Sequence, residues 1–205
     1  EAGHRCGEGA TIDAIDEAAI SFGMPMGPLR LIDEVGIDIV RHAGETLHNA
    51  FGERLAPAPA LVAIGDSGRL GKKGGNGFYK YKSGHESGAD PMAYDLLRSG
   101  DVSPELRPTP DVIRDRLVLS MINEGARVLS DGIASSAADL DLAMIMGTGF
   151  PPFRGGLLKF ADEIHPRALL LRLKHYESTL GERFSPAPLL RQLSRADRGF
   201  YEAFP

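Results

Sequence analysis

The sequence predicts an all-α protein built from two tandem, duplicated helical domains. Three observations predict it. A turn occurs twice, first as Gly23-Met24-Pro25-Met26-Gly27-Pro28-Leu29-Arg30-Leu31-Ile32 and again as Gly147-Thr148-Gly149-Phe150-Pro151-Pro152-Phe153-Arg154-Gly155-Gly156-Leu157-Leu158. The flanks of the two turns also align: Glu8-Gly9 with Asp131-Gly132, Ile15-Asp16 with Leu140-Asp141, Gly23-Met24-Pro25 with Gly149-Phe150-Pro151, and Leu31-Ile32 with Leu157-Leu158. The offset between copies drifts only from 123 to 126 residues. Finally, apolar residues recur at helical spacing along most of the chain, and long alternating strand patterns are absent. Two copies make a duplicated domain, whereas a solenoid needs three or more units.

In chain order, Thr11 is placed as a helix N-cap ahead of Ile12, Ile15, Ala18, Ala19 and Phe22. Gly23 and Pro25 stop that helix, and Pro28 opens the next at its first turn. Leu29, Ile32, Val35, Ile39, Val40, Ala43 and Leu47 are expected to form its buried stripe, with Gly52 as its end. Ala56-Pro57-Ala58-Pro59 reads as a stiff connector and residues 60–64 as a short apolar turn. The glycines of residues 68–77 argue against a stable helix, and Phe78-Tyr79-Lys80-Tyr81 is expected to be extended. Residues 83–90 are polar and read as a linker, followed by a short helix over 91–98 and a proline-rich linker over 101–110.

Thr109-Pro110-Asp111 is a helix start with a cap, a first-turn proline and a first-turn acid. Ile113, Leu117, Met121 and Val128 on one face, with Val118, Ile122 and Leu129 on another, predict a central helix closed by Gly132. Ser135 or Ser136 caps the next, with Leu140, Ala143 and Met144 turned inward. Leu157, Leu158 and Phe160 begin a further helix. Pro166 opens one with Leu169, Leu173, Tyr176 and Leu180 on one side, and Ser185-Pro186 opens a last one through Leu189, Leu190 and Leu193. The domains expected are 1–86, a linker with a short helix over 87–109, and 110–205.

The alignment of the copies extends backwards, residues 1–9 matching 124–132. A long helix precedes Glu124 but nothing precedes Glu1, so the chain is expected to be a fragment cut inside a helix. A processed chain with a short first helix is the alternative.

Bulk properties narrow the function classes. A net charge of −5 gives no footprint for nucleic acid. No apolar run approaches the ~20 residues that span a bilayer. Cys6 is alone, which fits a reducing compartment, and a cytoplasmic location is expected. His42 and His48 do not share a helix face and no HExxH occurs, so no metal site is expected. No GxSxG elbow offers a nucleophile. Asp16 and Asp141 recur at the same place in both copies, as expected of structural carboxylates that accept backbone N–H groups near a turn. The loop from Gly68 to Gly77, with Lys72 and Lys73, has two readings: a phosphate cradle, or a tight surface turn with solvated lysines.

Ile15-Asp16, Gly23-Met24-Pro25-Met26-Gly27-Pro28, Leu31-Ile32-Asp33 and Gly68-Arg69-Leu70-Gly71-Lys72-Lys73 through Gly77-Phe78-Tyr79 together resemble the C-terminal domain of 3-hydroxyacyl-CoA dehydrogenases. Asn123-Glu124, the second turn and Gly199-Phe200-Tyr201 resemble the extra domain of multifunctional fatty-acid β-oxidation α chains. The resemblance implies the helical fold shared by the 3-hydroxyacyl-CoA dehydrogenase and 6-phosphogluconate dehydrogenase C-terminal domains. It implies a parent oxidising L-3-hydroxyacyl-CoA with NAD, bound by a Rossmann domain that this chain does not contain. An enoyl-CoA hydratase region and a thiolase subunit are among the partners it implies. On this basis the chain carries no catalytic, cofactor-binding or metal residue. Pro25, Met26, Gly27, Pro28 and Leu31 match positions lining the family's acyl-CoA pocket. A stand-alone acyl-CoA-binding or dimerisation module is the alternative function.

Overall fold

The computed structural model describes residues 1–97 and 107–205. Most of the expected linker over 101–110 lies outside them. The chain divides into two compact units. The first comprises Glu1–Phe22 and Met26–Asp115, the second Gly23–Pro25 and Arg116–Pro205.

In the first unit, α1 (Ala2–Gly7), α2 (Ile12–Phe22), α3 (Pro28–Val35), α4 (Ile37–Phe51), α5 (Pro59–Asp66) and α6 (Pro91–Leu97) surround a core of Ile12, Ile15, Phe22, Leu29, Ile64, Phe78 and Tyr79. Thr11 caps α2, its hydroxyl accepting the Ala14 N–H at 3.1 Å. The single helix expected from Pro28 to Gly52 is two helices. Gly36, at φ 104°, ends α3 and turns the chain into α4. The expected buried stripe does not form either: Leu29 is buried, but Val35, Ile39, Ala43 and Leu47 are exposed. The expected turn over 60–64 is part of α5, opened by Pro59, because its Ala60 and Ile64 lie one helical turn apart and face the core.

The polar stretch read as a linker is half of a hairpin. Strands β1 (Tyr79–Lys82) and β2 (His85–Ala89) pair antiparallel, with Lys82 opposite His85. Ser83 and Gly84 make the turn at φ 52° and 80°. Two consecutive positive φ values suit the right-handed twist of a two-residue hairpin. Asp90 then caps α6, accepting the Met92 N–H at 3.0 Å, and also holds the buried Arg69 at 2.6 Å.

The boundary between units falls inside α7 (Pro110–Ser130). In the second unit α8 (Ala137–Thr148), α9 (Leu157–Ile164), α10 (Pro166–Leu180), α11 (Pro188–Ala196) and α12 (Phe200–Ala203) follow. Ser136 is the cap of α8, accepting the Asp139 N–H at 3.1 Å. Leu140 points inward as expected, while Ala143 is exposed. Asn123 of α7 pins the chain between α10 and α11, donating to Ser185 O at 2.9 Å and accepting Ala187 N–H at 2.8 Å. The last long helix therefore begins at Pro188, not at Pro186.

The copies correspond with a different register from the one read off the sequence. Asp16 and the amide it caps are 13 residues apart, Asp141 and its amide 17. Leu29, not Ile32, is thus the counterpart of Leu158, and the offset jumps to 129 (158 − 29). The extra residues form the 3-10 turn Pro152–Arg154, which has no equivalent in the first copy. At the new offset Gly52-Glu53-Arg54-Leu55-Ala56-Pro57-Ala58-Pro59 falls on Gly181-Glu182-Arg183-Phe184-Ser185-Pro186-Ala187-Pro188. Each begins with a positive-φ glycine that ends a 15-residue helix.

At the α9–α10 junction the copies differ in strain. Gly36 sits at φ 104°, ψ 129°, and its counterpart His165 at φ 79°, ψ 134°. A side chain in that region costs roughly 1–3 kcal/mol. His165→Gly is therefore expected to raise the melting temperature by about 2–4 °C, net of the entropy glycine adds to the unfolded chain. His165→Ala, which keeps the strain and loses the contact with Asp197 at 3.4 Å, should not raise it. Thermal denaturation followed by circular dichroism checks both.

Candidate functional site

The turn into α3 is organised by a carboxylate from another helix. Gly27, the residue ahead of α3, has no side chain to cap it. Asp16 of α2 does so instead, accepting Leu29 N–H at 2.8 Å and Arg30 N–H at 3.0 Å. A carboxylate there satisfies two of the helix's unpaired donors and meets the positive end of its dipole. Tyr79 completes the site, its hydroxyl donating to Asp16 at 2.8 Å. Arg30 lies over the Tyr79 ring at 4.3 Å and forks onto Glu86 at 2.8 and 3.0 Å.

Asp33, four residues past Leu29 on α3, holds the other end of the same loop. It accepts Phe78 N–H at 3.0 Å, Tyr79 N–H at 2.9 Å and the Tyr81 hydroxyl at 3.1 Å. The carboxylates press on glycines. A Cβ on Gly27 would lie 2.2 Å from Asp16 Cγ, and one on Gly77 1.9 Å from Asp33 Oδ1. Burial pushes the carboxyls of Asp16 and Asp33 above the ordinary carboxylate range, against the opposing pull of their N–H and O–H donors.

The second copy repeats the arrangement of backbone donors and of the first tyrosine hydroxyl, without a counterpart of Tyr81. Asp141 accepts Leu158 N–H at 2.6 Å, Lys159 N–H at 2.9 Å and the Tyr201 hydroxyl at 2.9 Å. Asp162 accepts Phe200 N–H at 2.6 Å and Tyr201 N–H at 3.0 Å. Gly156 and Gly199 press on Asp141 and Asp162 as Gly27 and Gly77 press on Asp16 and Asp33. The role expected of Asp16 and Asp141 is the one observed. Asp33 and Asp162 were missed, although Asp33-Glu34 and Asp162-Glu163 recur ahead of the two Gly-Phe-Tyr strings and carry the signal.

The expected pocket residues fall on different sides of this frame. Gly27 is buried against Asp16, and Pro28 occupies the first position of α3. Pro25 groups with the second unit, where a Cβ on Gly149 would lie 2.7 Å from its Cγ. Met26 and Leu31 are 38% and 50% exposed, and Val35, one turn beyond Leu31, is exposed beside it. A rigid turn thus presents an apolar rim on the outer side of α3.

The glycine-rich loop is engaged with its own unit. Lys72 reaches Glu34 at 2.6 Å, Lys73 reaches Asp38 at 2.6 Å, and Lys80 lies 3.4 Å from Asp90. Arg69 is buried between Asp90 and the Gly77 carbonyl, at 2.6 and 2.9 Å. Burial alone would raise the Asp90 carboxyl, but the Arg69 hydrogen bond and charge hold it below the usual range. These pairings favour the surface-turn reading of the loop. The described sheet is a two-stranded antiparallel hairpin, and no parallel strand-and-helix unit for a dinucleotide occurs among the described residues.

Two predictions follow from the clamp. Tyr79→Phe should cost about 1–3 kcal/mol by removing a donor from a buried carboxylate, and Gly27→Ala should cost at least as much through overpacking. Urea denaturation of both variants measures this. A carboxyl with a raised folded pKa holds its proton more tightly folded than unfolded. The stability linked to Asp16 and Asp33 is therefore complete below the ordinary carboxylate pKa of about 4, and is lost as pH rises through their folded values. Side-chain carboxyl NMR titration should place both above the ordinary range, and the urea midpoint should follow with the stated sign.

Comparison with known proteins agrees with this architecture. The model of the family described as 3-hydroxyacyl-CoA dehydrogenase, C-terminal domain, matches residues 1–81 and again 113–201. The fatty acid oxidation complex subunit alpha of Shewanella amazonensis is 36% identical over 95% of this chain and 27% of its own length. That of Shewanella sp. strain MR-4 is 35% identical over 95% and 28%. The chain thus spans little more than a quarter of these relatives. Among solved structures, 3-hydroxybutyryl-CoA dehydrogenase from Escherichia coli shares the fold at a TM-score of 0.73 and 23% identity, over 95% of this chain and 59% of that one. The dehydrogenase part of multifunctional enzyme 1 from C. elegans does so at 0.64 and 24%, over 90% and 42%. With both repeats matched by one model and closed by the same carboxylate clamp, the chain belongs to the 3-hydroxyacyl-CoA dehydrogenase C-terminal domain family.

Proposed function

We propose that this chain is the non-catalytic helical part of an NAD-dependent L-3-hydroxyacyl-CoA dehydrogenase of fatty-acid β-oxidation. The parent also carries an enoyl-CoA hydratase region and acts in the cytoplasm, with a thiolase subunit among its partners. In that parent the first repeat closes the acyl-CoA cleft and packs against the neighbouring domains. The nicotinamide and the hydride chemistry belong to a Rossmann domain. The observation that carries this reading is the apolar rim of Met26, Leu31 and Val35 on a turn held rigid by Asp16. Clamped backbone beneath exposed apolar side chains suits a wall that must meet an acyl chain without moving. The match to fatty acid oxidation complex α subunits supports the choice of pathway.

Two measurements test it. In the full-length parent, Leu31→Asp should raise the KM for longer acyl chains and leave kcat and stability nearly unchanged. A charge in an apolar acyl pocket is costly, whereas Leu31 is exposed in this chain. Equal KM values across chain lengths would remove Leu31 from the cleft. The isolated chain should produce no NADH from 3-hydroxybutyryl-CoA, and sustained turnover would refute the non-catalytic assignment.

A further inference from the structure

The stretch Gly23–Pro25 lies in the turn of the first repeat but belongs by its packing to the second unit. Two glycines account for this. Gly23 sits at φ 114°, and a Cβ there would lie 2.6 Å from the edge of the Phe153 ring and 2.9 Å from Pro151 Cγ. Gly149, its counterpart in the repeat, sits at φ 71° and faces Pro25 in the same way. Each glycine admits a ring from the other copy of the turn, an approach that a Cβ would block.

Phe153 is the partner that the duplication does not account for. It stands in the 3-10 turn Pro152–Arg154, which the first copy lacks. It is 75% exposed, so burial in the core does not hold it. One ring edge rests on Gly23, and the Arg154 guanidinium lies 5.2 Å from the ring centre. What this side chain fixes is therefore the backbone at Gly23.

That grip ends one residue short of the apolar rim. Pro25 packs with the second unit, and Gly27 is held against Asp16 in the first. Met26 stands alone between them. Its backbone is set from ahead by Phe153 and Gly149, and from behind by Asp16. Leu31 and Val35 ride on α3, which Asp16 anchors.

We propose that Phe153 is a positioning residue for the acyl-CoA wall. Its ring edge holds Gly23, which fixes how Met26 is presented, and the second repeat thereby takes part in selecting the acyl chain. The inference rests on the reading of Met26, Leu31 and Val35 as that wall.

The test is made in the full-length parent. Phe153→Ala should raise the KM for longer acyl chains about three- to tenfold and leave kcat and the melting temperature unchanged. Phe153→Tyr, which keeps the ring edge, should restore the original KM. Combined with Met26→Ala, Phe153→Ala should raise KM no further than the larger single effect, because both act at one place. Combined with Leu31→Ala, the two effects should multiply. Methyl NMR of the chain itself gives a readout free of catalysis: Phe153→Ala should shift and sharpen the Met26 methyl signal and leave that of Met121 in place. An unmoved Met26 signal overturns the proposal, as does an effect on KM that multiplies with Met26→Ala. A KM that responds to Leu31→Asp but not to Phe153→Ala overturns this inference alone. A KM that responds to neither overturns the reading of the wall as well.

Discussion

A buried aspartate that caps a helix other than its own is the interaction on which both repeats depend. Asp16 and Asp141 each join three separate pieces of chain: the helix they sit on, the start of the next, and a tyrosine far along the sequence. The reason is electrostatic economy. A short helix opened by glycine has free N–H groups and a positive end, and a carboxylate removed from water needs donors. Each resolves the other's deficit, but only if no Cβ intervenes, which fixes glycine at positions 27 and 156. Asp33 and Asp162 apply the same rule to the Gly-Phe-Tyr loops, so two carboxylates per repeat hold the tyrosine at both its backbone and its hydroxyl.

This frame explains what the copies share and where they diverge. Residues facing the carboxylates are the same in kind in both: glycine before the helix, a small loop, and tyrosine. Residues facing away differ. The first copy keeps a short turn and an exposed apolar rim on α3, while the second inserts a 3-10 turn after Pro151. The first copy carries an ion-paired lysine loop between α5 and its Gly-Phe-Tyr string, where the second passes from α11 to Gly199-Phe200-Tyr201 within three residues. The surfaces open to specialisation are therefore those that the clamp does not touch.

The carboxylates of Asp16, Asp33, Asp141 and Asp162 are each spent on holding backbone N–H groups. The basic groups of the glycine loop are matched by carboxylates of α3, α4 and the residue ahead of α6. The chain spans 27% of the length of the fatty acid oxidation complex α subunit of Shewanella amazonensis.

The sequence by itself determined the helical class, the duplication and the cap at Thr11, and narrowed the α8 cap to Ser135 or Ser136, because these depend on local periodicity and on side chains next to their own backbone. It also marked Asp16 and Asp141, since a carboxylate kept at one place in both copies has a common duty. Other features were decided only in three dimensions. The helix expected across Pro28 to Gly52 breaks because Gly36 adopts a positive φ, a choice that glycine permits but does not announce. Residues 83–90 look like a linker because β2, exposed to solvent on both faces along most of its length, needs no apolar alternation. The exposure of Leu47 and Phe51 was invisible because an amphipathic stripe shows that a face wants cover, and only tertiary structure shows whether anything lies on it.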